Sequence, residues 1–303
     1  MNHSLQKPPK SLSRWLSPVF LGLLLALVSA FLLGAGNARV VKASASVSRV
    51  PISQISSLQA EAYNLRQQLY QEALTWGSTH IYHDSYDGKT YSFGYEYQAI
   101  ASYPTNNLLA RARSVSDYQY VIGQLRGWLA DFNAYTANFN DPTPYDQVHA
   151  TDMRLMWRNG ETSGSVIVIS LSEQAMRVYQ DGRLLNAFQV VTGMPGHASL
   201  PGSWVIENKQ TNITFTSGKK PGDPDYYPPT PIAIAMQYHS EGYFIHQSWW
   251  RSQYGRNMQF PHLDPYGTLF ANSGSHGCIN MSTPSVEWVY NFVSVNTTKL
   301  IIY

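Results

Sequence analysis

One short stretch of the chain concentrates residues able to do covalent chemistry: Ser273-Gly274-Ser275-His276-Gly277-Cys278-Ile279-Asn280. Cys278 is the only cysteine among 303 residues, so no intrachain disulfide competes for it. A thiol at its ordinary pKa of about 8.5 is mostly protonated near neutrality, and the thiolate is the attacking species. A neighbouring imidazole can take the proton and stabilise the resulting pair. Gly277 allows close backbone approach to a bound molecule. Consecutive N–H groups at Gly277 and Cys278 can be aimed at an oxyanion that develops during acyl transfer. The competing account of Cys278 is a small buried hydrophobe.

Several histidines are candidates for the base. His276 lies two residues before the cysteine and shares its face on a strand, though not in a turn. His246 ends an apolar run, Tyr243-Phe244-Ile245-His246, and the end of a strand holds a side chain rigidly. His239 and His262 remain as alternatives. A zinc site using Cys278 with His246, His262 or His276 lacks the paired-cysteine spacing of structural zinc sites. No metal or cofactor is therefore expected.

Strands must position these groups. Ser165–Leu171, Gln174–Tyr179 and Arg183–Thr192 read as successive strands, with Asp181-Gly182 turning the last pair. Ser203–Glu207, Ile232–Met236, Tyr243–His246 and Lys299–Tyr303 add others. A helix is expected after Thr283 as N-cap, with Pro284 in its first position. Neither a nucleotide-binding glycine motif nor a βαβ rhythm is present, and the C-terminal region reads as mainly β.

The N-terminal half has a different period. Ile55, Leu58, Ala62, Leu65 and Leu69 recur at three and four, as do Val115, Tyr118, Ile122, Leu125, Leu129 and Phe132. Two such seams predict an antiparallel helical hairpin, either a stalk or an ordinary packed pair. The Tyr-rich residues 80–103, with Asp87-Gly88, predict a β-hairpin tip between the helices. Asp141-Pro142-Thr143-Pro144 ends the second helix. Residues 15–36 are uncharged and almost wholly apolar, long enough to span a bilayer core that needs about 20 residues. Lys7, Lys10 and Arg14 precede that run and favour a cytoplasmic N-terminus. Val41-Lys42-Ala43 offers cleavage of a secretory signal as the alternative. The expected organisation is a tail at 1–14, an anchor at 15–36, a linker at 37–50, a helical hairpin with β tip at 51–140, a linker at 141–163 and a mainly β domain at 164–303. The net charge is +2, but six bases precede the first acid, Glu61, and the remainder is acidic overall. Nucleic acid is thereby disfavoured as a partner.

Ser275-His276-Gly277-Cys278-Ile279-Asn280 resembles the signature of the L,D-transpeptidases, the YkuD-type catalytic domain of bacterial cell-wall enzymes. Ser199-Leu200-Pro201-Gly202-Ser203 is similar to a turn of that family, and Gly242 to His246 resembles the strand carrying its upstream histidine. The resemblance covers about residues 164–303 and implies an α+β protein whose C-terminal domain is a mixed β-sandwich. It implies Cys278 as nucleophile and His246 as acid/base, oriented by the main-chain carbonyl of Gln247. His276 and Ser275 would shape the site, Gly277 and Cys278 would supply oxyanion donors, and Asn280 would order the loop or meet the substrate. The implied activity is 3→3 cross-linking of peptidoglycan stem peptides through a cysteinyl thioester, with an L,D-carboxypeptidase or a non-catalytic wall-binding scaffold as alternatives. Carbapenem acylation of Cys278 is implied likewise. One departure is the 28 residues between His246 and Ser275, more than the family's usual spacing. Trp249, Trp250 and Tyr254 in this insert are candidates to line a substrate groove, or to join Phe260 in a small satellite core.

Overall fold

The computed structural model describes residues 52–223 and 225–303. The expected tail, anchor and first linker lie outside them. Among the described residues no helix is long and apolar enough to cross a membrane.

Both helical seams form. α1 (Ile52–Gly77) and α3 (Val115–Asn138) pack through Ala62, Leu69, Ile122, Leu125 and Phe132, all buried. A capping box starts α3: Asp117 N–H donates to Ser114 Oγ at 3.1 Å, and the Asp117 carboxylate accepts from Ser114 N–H at 2.8 Å. Strands β1 (Ile81–His83) and β2 (Thr90–Ser92) pair antiparallel around the expected turn, with Gly88 at φ +71°.

The tip is shorter than expected, because Tyr95–Arg111 forms a helix, α2. Gly94, at φ +76°, ends the extended run and caps it. Tyr97, Ile100, Ala101, Thr105 and Leu109 then bury one helical face. Pro104 inside α2 cannot donate to the Ile100 carbonyl, and the Thr105 hydroxyl does so instead at 2.6 Å. The region is therefore three packed helices, not a two-helix hairpin.

The expected linker at 141–163 also carries structure, α4 (Ala150–Arg158). Its Asp152 is fully buried and pairs with the equally buried Arg177, whose Nη2 lies 3.0 Å from Oδ1. The hydroxyls of Tyr179 and Tyr303 donate to the same carboxylate at 2.7 and 2.8 Å. A buried charge is tolerated when paired and fully hydrogen-bonded, which ties α4 to the adjoining sheet.

The C-terminal region is a two-sheet mixed sandwich. β3 (Ser165–Ser170), β4 (Ala175–Gln180), β5 (Arg183–Gln189), β6 (Gly202–Val205) and β11 (Lys299–Ile302) form one sheet in the order β5-β4-β3-β11-β6. β11 runs parallel to β3 and antiparallel to β6. The second sheet has the order β10-β9-β8-β7, from β7 (Asn208–Phe215), β8 (Thr230–His239), β9 (Tyr243–Gln247) and β10 (Ile279–Met281). β7 has no hydrophobic alternation, because it is an edge strand with much of its surface in water. α5 (Thr283–Phe292) follows β10; its N-cap is Ser282, one residue earlier than expected, with proline in the first turn.

Candidate active site

β9 and β10 pair in parallel, with Asn280 beside His246 and Ile279 beside Ile245. Cys278 falls one residue before β10, at the mouth of this pair. Cys278, His246, Ser275, His276 and Asn280 line one cleft of about 410 Å³. Its walls come from loops remote in sequence: Phe215, Tyr227 and the prolines 228, 229 and 231 on one part, Trp249, Trp250, Arg251 and Phe270 on another.

The thiol is half-buried, and burial pushes its pKa up to about 11, with the Phe244 amide opposing in part. Sγ lies 3.7 Å from the Gly242 carbonyl, to which it donates. His246 is buried, and its Nδ1 lies 2.7 Å from the Gln247 carbonyl. A carbonyl only accepts, so Nδ1 carries the proton and Nε2 presents its lone pair. That nitrogen accepts from Asn280 Nδ2 at 3.2 Å. Burial brings the His246 pKa down to about 4; the Gln247 carbonyl opposes this, and the Arg251 charge adds to it. The resting groups are thus neutral thiol and neutral imidazole.

The loop before Cys278 is set by its own hydrogen bonds. Gly277 has φ +109°, and a Cβ there would come within 2.9 Å of the Tyr243 ring. Both the conformation and the contact call for glycine. Its N–H donates to Ser275 Oγ at 3.0 Å, and its carbonyl accepts from Ser199 Oγ at 2.8 Å. Ser275 Oγ donates in turn to the Cys278 carbonyl. The Gly277 amide, expected as an oxyanion donor, is thus engaged within the loop in this conformation. Ser199 also accepts from Gly193 N–H at 2.9 Å, holding the two loops together.

The remaining candidates separate clearly. His276 stands at the rim, its ring 4.6 Å from His197 and 5.2 Å from Tyr227. Burial and the neighbouring His197 lower its pKa, against Asp225. His262 is buried away from the cleft, with Nδ1 2.7 Å from the Phe260 carbonyl. His239 packs edge-on against Trp204 and Tyr243, also outside the cleft lining. Trp249 and Trp250 line the cleft, and Trp249 Nε1 donates to the Pro231 carbonyl at 3.0 Å, tying the tryptophans to the proline run. Tyr254 does not line it: its hydroxyl donates to the Ser248 carbonyl at 3.0 Å, bracing the loop from behind. Among the described residues no group of three or more His, Cys, Asp or Glu is placed to hold a metal.

The insert between His246 and Ser275 contributes both to the cleft wall and to a buried aromatic cluster. Its tryptophans, Arg251 and Phe270 face the cleft, while Phe260 is wholly buried among the rings of Tyr82, Tyr91, Phe93 and Tyr95. The Tyr95 hydroxyl donates to the Gly193 carbonyl, and Gly193 pairs with Ser275. The helical region thereby touches the loop that presents Cys278. Sequence reasoning missed Arg251, Phe215 and the proline wall. The run Tyr226-Tyr227-Pro228-Pro229-Thr230-Pro231 was a readable sign of a stiff, apolar surface.

Residues 164–302 match the family model YkuD, the L,D-transpeptidase catalytic domain. Solved structures that match part of the chain include an L,D-transpeptidase from Mycobacterium smegmatis, at 21% identity and a TM-score of 0.38, covering 46% of this chain and 59% of that one. A mutant of an Enterococcus faecium L,D-transpeptidase is 24% identical with a TM-score of 0.38, covering 47% and 51%. L,D-transpeptidase 3 from Mycobacterium tuberculosis, in complex with a faropenem-derived adduct, is 23% identical with a TM-score of 0.37, covering 46% and 60%. The matched part thus spans between half and three fifths of these proteins' lengths. No curated protein matches the chain.

Proposed function

We propose that the protein is a peptidoglycan L,D-transpeptidase that forms 3→3 cross-links through a thioester on Cys278. The observation that supports this reading is the placement of the thiol and of His246 on one cleft, with the imidazole tautomer set by the Gln247 carbonyl so that Nε2 is the acceptor nitrogen. Water leaves an apolar cleft when a stem peptide enters, and electrostatic interactions there strengthen. His246 Nε2 takes the Cys278 proton as Sγ attacks the carbonyl of the third stem residue, and the Asn280 amide gives way to it. The Cys278 amide stabilises the oxyanion; one such donor is worth about 2.7–4 kcal/mol in other enzymes. The C–N bond then breaks, His246 returns the proton to the departing D-alanine amine, and a thioester remains.

An amine on the third residue of a second stem next passes its proton to His246 and attacks the thioester. The C–S bond breaks, Cys278 regains the proton, and the cross-link is made. Carbapenems would acylate the same sulfur. The apolar run at 15–36 would anchor the chain in the membrane with this domain outside the cytoplasm, facing the wall.

The test is intact-mass spectrometry of the protein with a tetrapeptide-stem disaccharide, beside Cys278→Ala. The expected result is a transient adduct equal to the stem without D-alanine, absent in the variant, followed by dimeric product. Tripeptide as sole product would instead establish a carboxypeptidase. No adduct with any stem type would refute the catalytic reading and leave a wall-binding scaffold.

A further inference from the structure

Among the described residues, Arg251 is the only permanently charged side chain lining the cleft. It is 6% exposed, and no ion pair to it exists among the described residues. Its guanidinium has five N–H donors. Two go to main-chain carbonyls, Nη2 to Ser273 at 2.9 Å and Nη1 to Ala271 at 3.5 Å, while Nε finds no partner. The nearby Asp264 carboxylate is taken up by the amides of Ser252, at 2.6 Å, Gln253 and Tyr266, each at 3.2 Å, and by the Ser252 hydroxyl. A buried cation short of acceptors costs stability unless something compensates it. Aromatic rings and prolines make up most of the remaining cleft wall, so an anion entering it would find its one cationic partner here.

We propose that Arg251 is a carboxylate-binding subsite of this cleft, and that it selects donor stems ending in a free carboxylate. The proposal rests on the acyl-transfer reading above. A stem peptide carries more than one carboxylate, and the one on the terminal D-alanine lies a single residue beyond the bond that breaks. Arg251 lines the same cleft as Cys278 and His246. A carboxylate held there would make charge-assisted hydrogen bonds, which are about twice as strong as neutral ones. It would also hold the scissile carbonyl against Sγ. After the C–N bond breaks, the carboxylate departs with D-alanine, and the same space opens for the acceptor.

The experiment measures thioester formation by intact mass with three donors: the free-acid tetrapeptide stem, its terminal carboxamide, and a stem amidated only on its internal carboxyl. Wild type is compared with Arg251→Gln and Arg251→Lys. In wild type, terminal amidation should lower the acylation kcat/KM about 10- to 100-fold, the range of a charged hydrogen bond, and internal amidation should change it far less. R251Q should acylate acid and terminal amide at equal rates, and R251K should keep part of the preference. Equal rates for acid and terminal amide in wild type would overturn the proposal, whatever the variants do. A loss on internal amidation alone would overturn the terminal assignment. R251Q slowing both donors by one factor would overturn it too, leaving Arg251 a tether for Ala271 and Ser273. Absence of adduct with every donor would bring down the acyl-transfer reading itself, and the subsite with it.

Discussion

Replacing Phe260 by alanine tests whether the helical region holds the active-site insert in place. The ring is wholly buried, stacked on Tyr82 at 4.8 Å and edge-on to Phe93 at 5.0 Å, with Tyr91 and Tyr95 at 5.7 and 6.1 Å. All four partners come from the β-hairpin and the start of α2. Few other contacts join the insert to that region: Arg256 Nη2 donates to the Phe139 carbonyl at 2.6 Å, and Asn272 Nδ2 to Tyr86 Oη at 3.2 Å. A buried Phe→Ala change costs about 3–5 kcal/mol, through lost transfer energy and the cavity left behind. For a folded unit of this size that corresponds to a fall in Tm of roughly 6–20 °C, at about 2–4 °C per kcal/mol. Because the insert carries Trp249, Trp250 and Arg251 into the cleft, acylation of Cys278 should fall as well. The assays are thermal unfolding, hydrogen exchange over residues 253–272, and the rate of thioester formation. Phe260→Leu retains most of the apolar volume and should lose roughly half as much or less. An F260A protein with wild-type Tm, exchange and acylation rate would refute the argument that this ring couples the two regions.

Two further outcomes follow from the titrating groups. Burial pushes the Cys278 thiol pKa up to about 11, so its alkylation by iodoacetamide should rise about tenfold per pH unit from 7 to 10. A plateau beginning below pH 8 would instead reveal a thiolate–imidazolium pair. Glu96 is buried in α2 with Oε2 unpartnered, and burial raises its pKa from 4.5 to about 7. The folded state therefore keeps a proton that the unfolded chain has released, and stability falls as pH rises from about 4.5 to about 7. Glu96→Gln removes that dependence. It should raise stability above pH 7 by up to about 3 kcal/mol, and an unchanged Tm at pH 8 would contradict the assignment.

Much of the site was legible because its chemistry is local. Cys278, Gly277 and Ser275 sit within four residues, and the Ser275 hydroxyl bonds to both of the others within the loop that links them. His246 was legible from the apolar strand that ends in it, and Gln247 from its place after it. The two helical seams and most strands followed from hydrophobic period, since one face of each is buried. What period could not reach was α2, where Pro104 and polar residues mask the pattern, and α4, whose buried face includes Asp152. A charged residue reads as exposed until its partner is known, and Arg177 lies 25 residues away.

Sequence alone thus supplied the candidate nucleophile, the candidate base and a resemblance to the L,D-transpeptidase catalytic domain that residues 164–302 match. These depend on residue type and short spacing, which backbone geometry converts directly into proximity. Tertiary structure decided the rest of the site: the proline wall facing the tryptophans, the Gly277 amide turned into its own loop, and Tyr254 placed behind rather than within the cleft. It also decided that Arg251 enters the cleft without a carboxylate and that Phe260 anchors the insert to the helices. Each of these depends on which distant surfaces meet, and burial, desolvation and charge pairing exist only after they have met.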